Sequence, residues 1–530
     1  MSRRPFRGPI RRPAAFGSLE AMRKLLMAAL TAVPLALGGP TPAAGAPVVG
    51  CAALTGVAVP GGRIASAALS AVRGNEFCEV HGAFAPGTRF TIKLPTSGWT
   101  GQYVQQGCSG LCGSVPELDL PPAGFGCAAA VAGKLALAAS DSGHRGSDAE
   151  PATWGADPRL RAEFGLASEH KLAGVATAVL RAYYGRGPAH RYFDGCSTGG
   201  RQGLILAQRW PADFDGILAG APASNLAPLS GLFDPWLVRR NTGADGAQIL
   251  SREQLPALHA AVTRACGEVI ADPRQCGFRP ASLRCPPGQH RPSCLTGAQV
   301  AAVTAFYRGP ADRAGRSLFS GGVPYGSELT WTWFIGAAGT RPADTDAGTI
   351  ALNYLRYLAY PVNPPASYSL DDVRFDRSTL DRLNVVGDAL YHANNPDLSA
   401  FRARGGKLIM YHGWADGVIP PWSTIDYYRA VERRAGGFAP AQTFSRLYLI
   451  PAAYHCLFGP DLREVTEIAV PELLTPLMEW VESGVAPGEI GVPTVTATPE
   501  PELVRYLTVQ PHDALAPVRA APGSLNPDLL

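Results

Sequence analysis

The stretch Arg191-Tyr-Phe-Asp-Gly-Cys-Ser-Thr-Gly-Gly200 decides the fold, because it joins a strand-like run to a helix-like run through a Gly-x-Ser-x-Gly turn. A serine at the apex of such a turn projects its hydroxyl out of the sheet, and small neighbours are needed because the backbone there is strained. Ser197 is therefore the predicted nucleophile. With 60 glycines in the chain the pattern can also arise by chance, so the prediction depends on the sequence downstream.

Two strand-like runs further along the chain are each followed by a loop with a titratable residue. Residues 407–411 precede a turn-rich loop that holds Asp416, and residues 447–450 precede a loop that holds His455. An α/β-hydrolase presents nucleophile, acid and base in this chain order, each on a loop after a strand. We therefore predict an α/β-hydrolase fold in which His455 takes the proton of Ser197 and Asp416 orients the imidazole.

Several alternatives to this triad remain. Asp426 is a rival acid, but it lies in a helix-like stretch beyond Pro420 and Pro421. His455 could instead be a loop histidine bonded to backbone. A peptidase uses the same triad, and only the pocket separates an ester from an amide. A non-catalytic binding protein on this scaffold would be expected to lack a triad member, whereas all three are present.

Cysteines flank both ends of the predicted triad. Cys196 precedes Ser197 and Cys456 follows His455, so a bridge between them would hold two loops of the triad together. It would close a loop of roughly 260 residues and stabilise the fold by several kcal/mol. With these features the chain resembles the tannase and feruloyl esterase family over residues 51–486. In that family a Cys-Ser pair, a distant Asp and a His-Cys pair form the active site, and the two cysteines are joined.

The resemblance implies an esterase that works through an acyl-enzyme intermediate and needs no cofactor. Members of the family hydrolyse gallate or ferulate esters, and one branch cleaves the mono-hydroxyethyl ester of terephthalate. We therefore expect a small aromatic ester as the partner of Ser197, most of all a hydroxycinnamate or gallate ester. A terephthalate monoester and a peptide are the alternative substrates. The sequence leaves the oligomeric state open.

The oxyanion hole requires backbone amides that point to the developing negative charge. One donor is predicted to be the amide of Thr198, directly after the nucleophile. For the second donor the sequence offers the Gly-rich loop 105–113, which follows strand-like sequence, and we predict Gly107 and Cys108. The alternative is a plain hairpin turn pinned by cysteine.

Residues 1–46 have the composition of a leader segment. A short basic start at Met22-Arg-Lys24 precedes an apolar run, and the small residues 44–46 suit cleavage. The segment carries seven basic residues and one acidic residue, a net +6, so the formal +4 of the whole chain leaves −2 for the remainder. This excludes a basic footprint for nucleic acid. No later apolar run is long enough to span a bilayer, and we expect a secreted or periplasmic enzyme.

The cysteine content also indicates an oxidising compartment, because the chain has 11 cysteines. Besides the bridge between Cys196 and Cys456, local pairs are predicted for Cys51 with Cys78, Cys266 with Cys276, and Cys285 with Cys294. Cys108, Cys112 and Cys127 form an odd set, and the sequence does not decide which two of them pair. A metal site at Cys108 and Cys112 lacks a second ligand pair.

The length indicates more than one compact region, because about 480 mature residues exceed a single core. We predict a discontinuous hydrolase domain at 47–219 and 400–530, with a lid domain inserted at 220–399. An aromatic cluster in the lid is a candidate for stacking on a phenolic acid, and lid-core packing is the alternative: Trp331, Trp333 and Phe334.

Family members commonly carry a calcium loop in the lid between two bridged cysteines. In this chain the corresponding stretch, 266–276, is short and holds only Glu268 and Asp272 as acids. Calcium takes six to eight oxygen ligands, and two carboxylates are a poor cage for it. We therefore predict no metal of that type and no cofactor.

Overall fold

The computed structural model describes residues 45–119, 127–289, 291–457, 459, 466–498 and 501–516. The predicted leader at 1–46 lies outside these residues except for its last two positions. Within the described ranges, no helix is both long enough and apolar enough to cross a membrane.

A central sheet carries the loops of the predicted site. Its nine strands are β1 (Gly62–Val72), β2 (Asn75–Phe84), β3 (Thr88–Pro95), β4 (Gln102–Gln106), β5 (Ala136–Ser140), β6 (His190–Cys196), β7 (Gly216–Gly220), β8 (Lys407–Gly413) and β9 (Ser445–Ile450). Their spatial order is β1-β2-β3-β5-β4-β6-β7-β8-β9. The pairs from β1 to β5 on one side are antiparallel, and all pairs from β5 across to β9 are parallel. This is the predicted α/β-hydrolase fold.

The parallel strands are apolar on both faces because helices cover both sides of the sheet. In β8, Leu408 and Met410 pack into the core on one face, and Ile409 and Tyr411 pack into the core on the other. All four side chains are at most 1% exposed. The two-residue period of a strand thus fixes which side chains meet which helices.

Nine helices of seven or more residues are named here in chain order: α1 (Ser168–Tyr184), α2 (Thr198–Arg209), α3 (Asp234–Arg240), α4 (Leu255–Cys266), α5 (Gly297–Arg308), α6 (Asp346–Tyr357), α7 (Arg377–Val386), α8 (Trp422–Ala435) and α9 (Leu474–Ser483). Helices α1, α2 and α8 contribute to the core on one face of the sheet. Helix α9 contributes to the core on the other face.

The segment between β7 and β8 contains α3 to α7 and no strand of either described sheet. It corresponds to the predicted lid at 220–399. Trp236, Phe306, Tyr354 and Leu383 of this segment belong to one hydrophobic core, which also takes in Phe164 and Val418 from outside the segment. We call residues 220–399 the lid segment.

A second, three-stranded antiparallel sheet follows the base-bearing loop and was not predicted. Its strands are β10 (Glu467–Ala469), β11 (Ile490–Thr496) and β12 (Leu503–Val509), in that spatial order. Ile490, Val492 and Val509 pack into the same core as α9. The sheet therefore extends the layer on the α9 side of the central sheet.

Candidate active site

Ser197 occupies the turn between β6 and α2. Its backbone has φ 62° and ψ −120°, a conformation that costs a non-glycine residue about 1 to 3 kcal/mol. The turn is held by hydrogen bonds from Ser197 N to Gly220 O (2.9 Å) and from Ala223 N to Ser197 O (3.1 Å). A Cβ at Gly200 would lie 2.3 Å from Gly220 O, so only glycine lets α2 approach β7 here. The strained serine is thereby placed at the carboxyl end of the sheet.

The predicted acid and base meet at the same end of the sheet. Asp416 follows β8, His455 follows β9, and His455 Nδ1 lies 2.7 Å from Asp416 Oδ2. Asp416 Oδ1 accepts the amides of Val418 and Ile419, each at 2.9 Å. Ser197 and His455 line one pocket and are 8% and 7% exposed. The structure thus brings all three predicted triad residues together.

The charge of Asp416 follows from its partners. Burial by itself raises the pKa of this carboxyl, but the contacts with His455 and His412 outweigh burial and leave the pKa well below its ordinary value. The group is therefore ionised at neutral pH. An ionised acid at Nδ1 fixes the tautomer of His455 and stabilises its cation, which leaves Nε2 for a proton from a nucleophile.

His412, within β8, is a neighbour of the acid that sequence reasoning missed. Its Nε2 donates to Ile419 O at 2.8 Å and lies 3.2 Å from Asp416 Oδ2. Its Nδ1 lies 2.9 Å from the hydroxyl of Thr424. A carbonyl only accepts, so Nε2 carries the hydrogen and His412 acts as a second donor at the carboxylate. The signal in the sequence was a histidine four positions before the acid.

The rival acid is directed elsewhere. Asp426 lies on α8, its side chain is 51% exposed, and it pairs with Arg429 at 3.3 Å.

Disulfides join the two halves of the site. Cys196 and Cys456 are bonded, with their Cα atoms 5.7 Å apart, so the nucleophile and base loops are covalently linked. The other predicted pairs are also at bonding distance: Cys51 with Cys78, Cys266 with Cys276, and Cys285 with Cys294. Of the odd set, Cys108 is paired with Cys112, and Cys127 is a buried free cysteine.

The predicted oxyanion loop lies beside Ser197, but its donors differ from the prediction. Gly107 N donates to Asp194 O (3.0 Å) and Cys108 N donates to Gln202 Oε1 (3.1 Å), so both amides are already occupied and the choice of these two positions is corrected. Among the described residues, the next two amides, of Ser109 and Gly110, have no acceptor.

The first turn of α2 holds this loop in place. Thr198 Oγ1 donates to Gly110 O at 2.5 Å. The amide of Thr198 is the first of the helix and has no intrahelical acceptor. Gly110 has φ 56°, and a Cβ there would lie 2.0 Å from Asp148 Oδ2. The amide of Thr198 and those of Ser109 and Gly110 therefore border the same pocket as candidate donors for an oxyanion.

A pocket of about 120 Å³ opens at Ser197 and receives residues from the lid segment. Of the three predicted aromatic side chains, Trp333 lines it. Trp331 and Phe334 are fully buried and pack against Phe306 in the lid core, so the prediction that they contact substrate is corrected.

The acids of the shortened lid loop have other roles. Asp272 accepts from the Arg274 guanidinium, with Nη2 at 2.8 Å, and Glu268 borders a different pocket. Within the described ranges, no group of three or more His, Cys, Asp or Glu side chains is placed to share a metal ion. The absence of calcium stays a prediction.

The chain is similar to known esterases along most of its length. The sequence model described as tannase and feruloyl esterase matches residues 70–514. An uncharacterized esterase of Xanthomonas campestris pv. campestris is 31% identical over 78% of this chain and 77% of that protein. The mono(2-hydroxyethyl) terephthalate hydrolase of Piscinibacter sakaiensis is 29% identical over 83% and 84% of the two chains. The crystal structure of feruloyl esterase B from Aspergillus oryzae has a TM-score of 0.72 at 21% identity, covering 87% and 96%.

Proposed function

Because the chain belongs to the tannase and feruloyl esterase family, we propose that it is a secreted serine carboxylesterase that hydrolyses esters of phenolic acids. The observation that carries the proposal is the 2.7 Å contact of His455 Nδ1 with Asp416 Oδ2, beside the pocket that Ser197 lines. A strained serine, an oriented histidine and an ionised acid are the parts that acyl transfer needs.

The reaction proceeds in two steps at Ser197. Its Oγ attacks the ester carbonyl carbon while His455 Nε2 takes the hydroxyl proton, and the same proton then passes to the departing alcohol. Water attacks the acyl-enzyme in the second step, with His455 again as the base. The carbonyl oxygen becomes negative in both steps and is bound by the amide of Thr198 together with those of Ser109 or Gly110. No cofactor takes part in this sequence.

The lid segment supplies one wall of the pocket and so selects the acyl group. Leu226, Leu229 and Ile350 come from it and offer an apolar surface for an aromatic ring. Five disulfides support secretion, because such bonds persist in oxidising compartments. Residues 1–46 would provide the export signal.

A terephthalate monoester is the second candidate substrate, because a hydrolase of that name is 29% identical over most of both chains. The family name and the neighbouring feruloyl esterase structure favour a phenolic acid. Both candidates are aryl acyl groups and would use the same triad.

The test is hydrolysis of methyl ferulate, methyl gallate and p-nitrophenyl butyrate by the mature, oxidised protein and its Ser197→Ala variant. We expect the change to lower kcat by about 10⁴-fold or more, since the nucleophile is lost. Ser282→Ala, at an exposed serine bonded to Arg279 O, is the matched control and keeps full activity. Ester hydrolysis that survives Ser197→Ala would refute the mechanism, and folded protein inactive on all three esters would refute the substrate class.

A further inference from the structure

The loop 107–113 beside Ser197 has seven backbone amides, and five of them donate to an acceptor within the protein. The acceptors, in chain order, are Asp194 O for Gly107, Gln202 Oε1 for Cys108, Asp148 Oδ1 for Leu111, Ser109 O for Cys112 and Asp141 O for Gly113. Within the part of the chain that the structure describes, the amides of Ser109 and Gly110 have no acceptor. The loop is therefore fixed on both sides of the two amides that can bind an oxyanion.

Gln202 on α2 binds the amide that directly precedes this free pair. Its Oε1 accepts from Cys108 N at 3.1 Å, and its Nε2 donates to Ser142 Oγ at 3.0 Å. Gln202 is 4% exposed, so water does not compete for these hydrogen bonds. Because α2 begins directly after Ser197, Gln202 links the oxyanion loop to the helix that follows the nucleophile.

Ser142, which follows β5, determines which way the side-chain amide of Gln202 points. Its hydroxyl donates to Glu169 Oε1 at 3.3 Å. A hydroxyl has one hydrogen, so Ser142 can only accept from Gln202, and this turns Gln202 Oε1 toward the Cys108 amide. Ser142 has φ 56°, in the left-handed region that a residue with a side chain rarely adopts. The backbone at this buried position is therefore strained, as it is at Ser197.

Glu169 on α1 completes a buried network behind Ser142. It is 2% exposed, and its carboxyl also accepts from Ser140 Oγ at 2.8 Å and from Gln105 Nε2 at 2.6 Å. Gln105 belongs to β4 and Ser140 to β5, so the network connects two strands, α1 and α2. A buried network whose members are hydrogen-bonded holds its side chains in one arrangement. Gln202 is thereby anchored to the central sheet.

We propose that Gln202 is a positioning residue of the oxyanion hole, and that Ser142 and Glu169 hold its side-chain amide in the orientation that this role needs. The described lining of the Ser197 pocket does not include Gln202, so it acts through the Cys108 peptide, which sets the direction of the two amides that follow. This inference rests on the proposed esterase function and deepens it. Donors fixed before the charge develops stabilise the transition state, so a loosened loop slows the chemistry more than it weakens substrate binding.

The first test is Gln202→Met, which keeps the length of the side chain and removes both hydrogen bonds. We expect kcat on p-nitrophenyl butyrate to fall about 100-fold and KM to stay within about threefold, because acylation and deacylation use the same oxyanion hole. Rates are expressed per active site, counted by the p-nitrophenolate that diethyl p-nitrophenyl phosphate releases, so misfolded protein does not contribute. Gln208→Met is the matched control, since Gln208 lies on the same helix and donates to Ala393 O and Tyr427 OH. It should keep kcat within about twofold.

A second measurement reports on binding of the negative oxygen without turnover. In 1,1,1-trifluoro-4-phenylbutan-2-one the ketone carbon is attacked by Ser197 Oγ, the hydroxyl proton passes to His455, and the former carbonyl oxygen carries the negative charge. Its Ki should rise about 100-fold in Gln202→Met and stay unchanged in Gln208→Met. Ser142→Ala removes the group that orients Gln202 but leaves the Cys108 contact possible, so it should lower kcat and raise Ki by about tenfold.

The outcomes separate this inference from the proposed function. A Gln202→Met enzyme that keeps kcat within about threefold would overturn the inference. A fall in kcat with an unchanged Ki would also overturn it, because the oxyanion hole would then bind the negative oxygen as before. Where Gln202→Met does not fold, Ser142→Ala decides by the same two measurements, and an unchanged kcat in that variant contradicts the proposal. Inactivity of the unchanged enzyme on every ester would instead refute the function on which the inference rests.

Discussion

Asp416 and Asp234 are two buried aspartates beside the same pocket, and the pKa values of their carboxyl groups are shifted in opposite directions. Asp416 is 0% exposed and accepts from Val418 N, Ile419 N and His455. Asp234 is 3% exposed, its only nearby donors are the side chains of Trp333 and Ser230, and neither reaches Oδ1 in good hydrogen-bond geometry. The pKa of Asp416 lies below its ordinary value, and the pKa of Asp234 lies well above it.

The difference teaches that partners, not depth, decide what a buried carboxyl can do. A carboxylate that accepts two amides and two histidine contacts is stable as an anion, and it can orient a base without further change. A carboxyl with an open acceptor has unmet hydrogen-bonding capacity. The first arrangement suits a fixed part of the catalytic apparatus, and the second favours the neutral acid.

The largest expected effect comes from Asp416→Asn, which removes the charge of the acid and changes its contact with His455. The Oδ1 position can still accept from Val418 and Ile419, but an amide NH₂ would face His455 Nδ1. His455 Nδ1 would then have to accept, its hydrogen would sit on Nε2, and it could not take the proton of Ser197. We expect kcat on p-nitrophenyl butyrate to fall by about 10⁴-fold.

Asp426→Asn is the matched control for this change, because Asp426 is the other acid of the same chain region and pairs with Arg429 on the surface. It should keep kcat within about twofold. If Asp426→Asn abolished activity and Asp416→Asn did not, the assignment of the acid would be reversed.

The same two regions show what the sequence could predict. Ser197, Asp416 and His455 were found from chain order, because each follows directly on a strand and parallel strands end at one edge. The positions of the triad residues could therefore be predicted from short stretches of sequence. The disulfide between Cys196 and Cys456 was accessible for the same reason, since each cysteine adjoins a triad residue.

The oxyanion loop and the pocket wall around Asp234 depend on contacts between segments that are distant in the chain, and the sequence did not reveal these contacts. The oxyanion prediction named Gly107 and Cys108 instead of Ser109 and Gly110. The sequence does not show that Gln202, on α2, accepts from the Cys108 amide. Trp331 and Trp333 are two positions apart, yet only Trp333 reaches the pocket. Asp234 carries no motif, and its burial arises from the packing of the lid segment.

The disulfide between Cys196 and Cys456 provides a second test of how the nucleophile and base loops are held together. Chain-entropy arguments assign about 5 kcal/mol to a bridge that closes about 260 residues and about 2 to 3 kcal/mol to one that closes about nine. We therefore expect the double change Cys196→Ser with Cys456→Ser to lower the free energy of unfolding by about twice as much as Cys285→Ser with Cys294→Ser. Urea denaturation of the three proteins measures both differences.

Only the first pair should also affect catalysis. Removing the Cys196 bridge frees the loop that holds His455, so kcat should fall, whereas Cys285 and Cys294 lie in the lid segment. Equal losses of stability in the two double variants would contradict the loop-length argument. Unchanged kcat in the first would show that the Asp416 contact alone is enough to place the base.

The smallest expected effect is a change in stability at a third buried carboxyl, that of Glu432. Because it lies away from the pocket, it can be compared with Asp416 and Asp234 without any effect on catalysis. Glu432 on α8 is 0% exposed, its Oε1 accepts from Ala514 N at 3.3 Å, and its Oε2 has no partner. Burial raises its pKa from 4.5 to about 7. It therefore resembles Asp234 in its hydrogen bonding but has no contact with the proposed substrate.

A carboxyl whose pKa is raised on folding is favoured in its protonated form. Its contribution to stability is thus present at low pH and is lost as the pH rises through the folded-state value of about 7. Glu432→Gln keeps an acceptor for Ala514 without the charge, so it should raise Tm by about 1 to 3 °C at about pH 9 and change it little at about pH 5. Thermal melting at the two pH values measures this.

Glu479→Gln on the exposed side of α9 is the control, and it should shift Tm equally and slightly at both pH values. A Glu432→Gln variant with the same Tm as the unchanged protein at about pH 9 would mean that Glu432 carries its charge without cost. Groups other than Ala514 would then stabilise the charge of Glu432. In that case an oxygen without a hydrogen bond would not be enough to show that a buried carboxyl is destabilised as an anion, either at Glu432 or at Asp234.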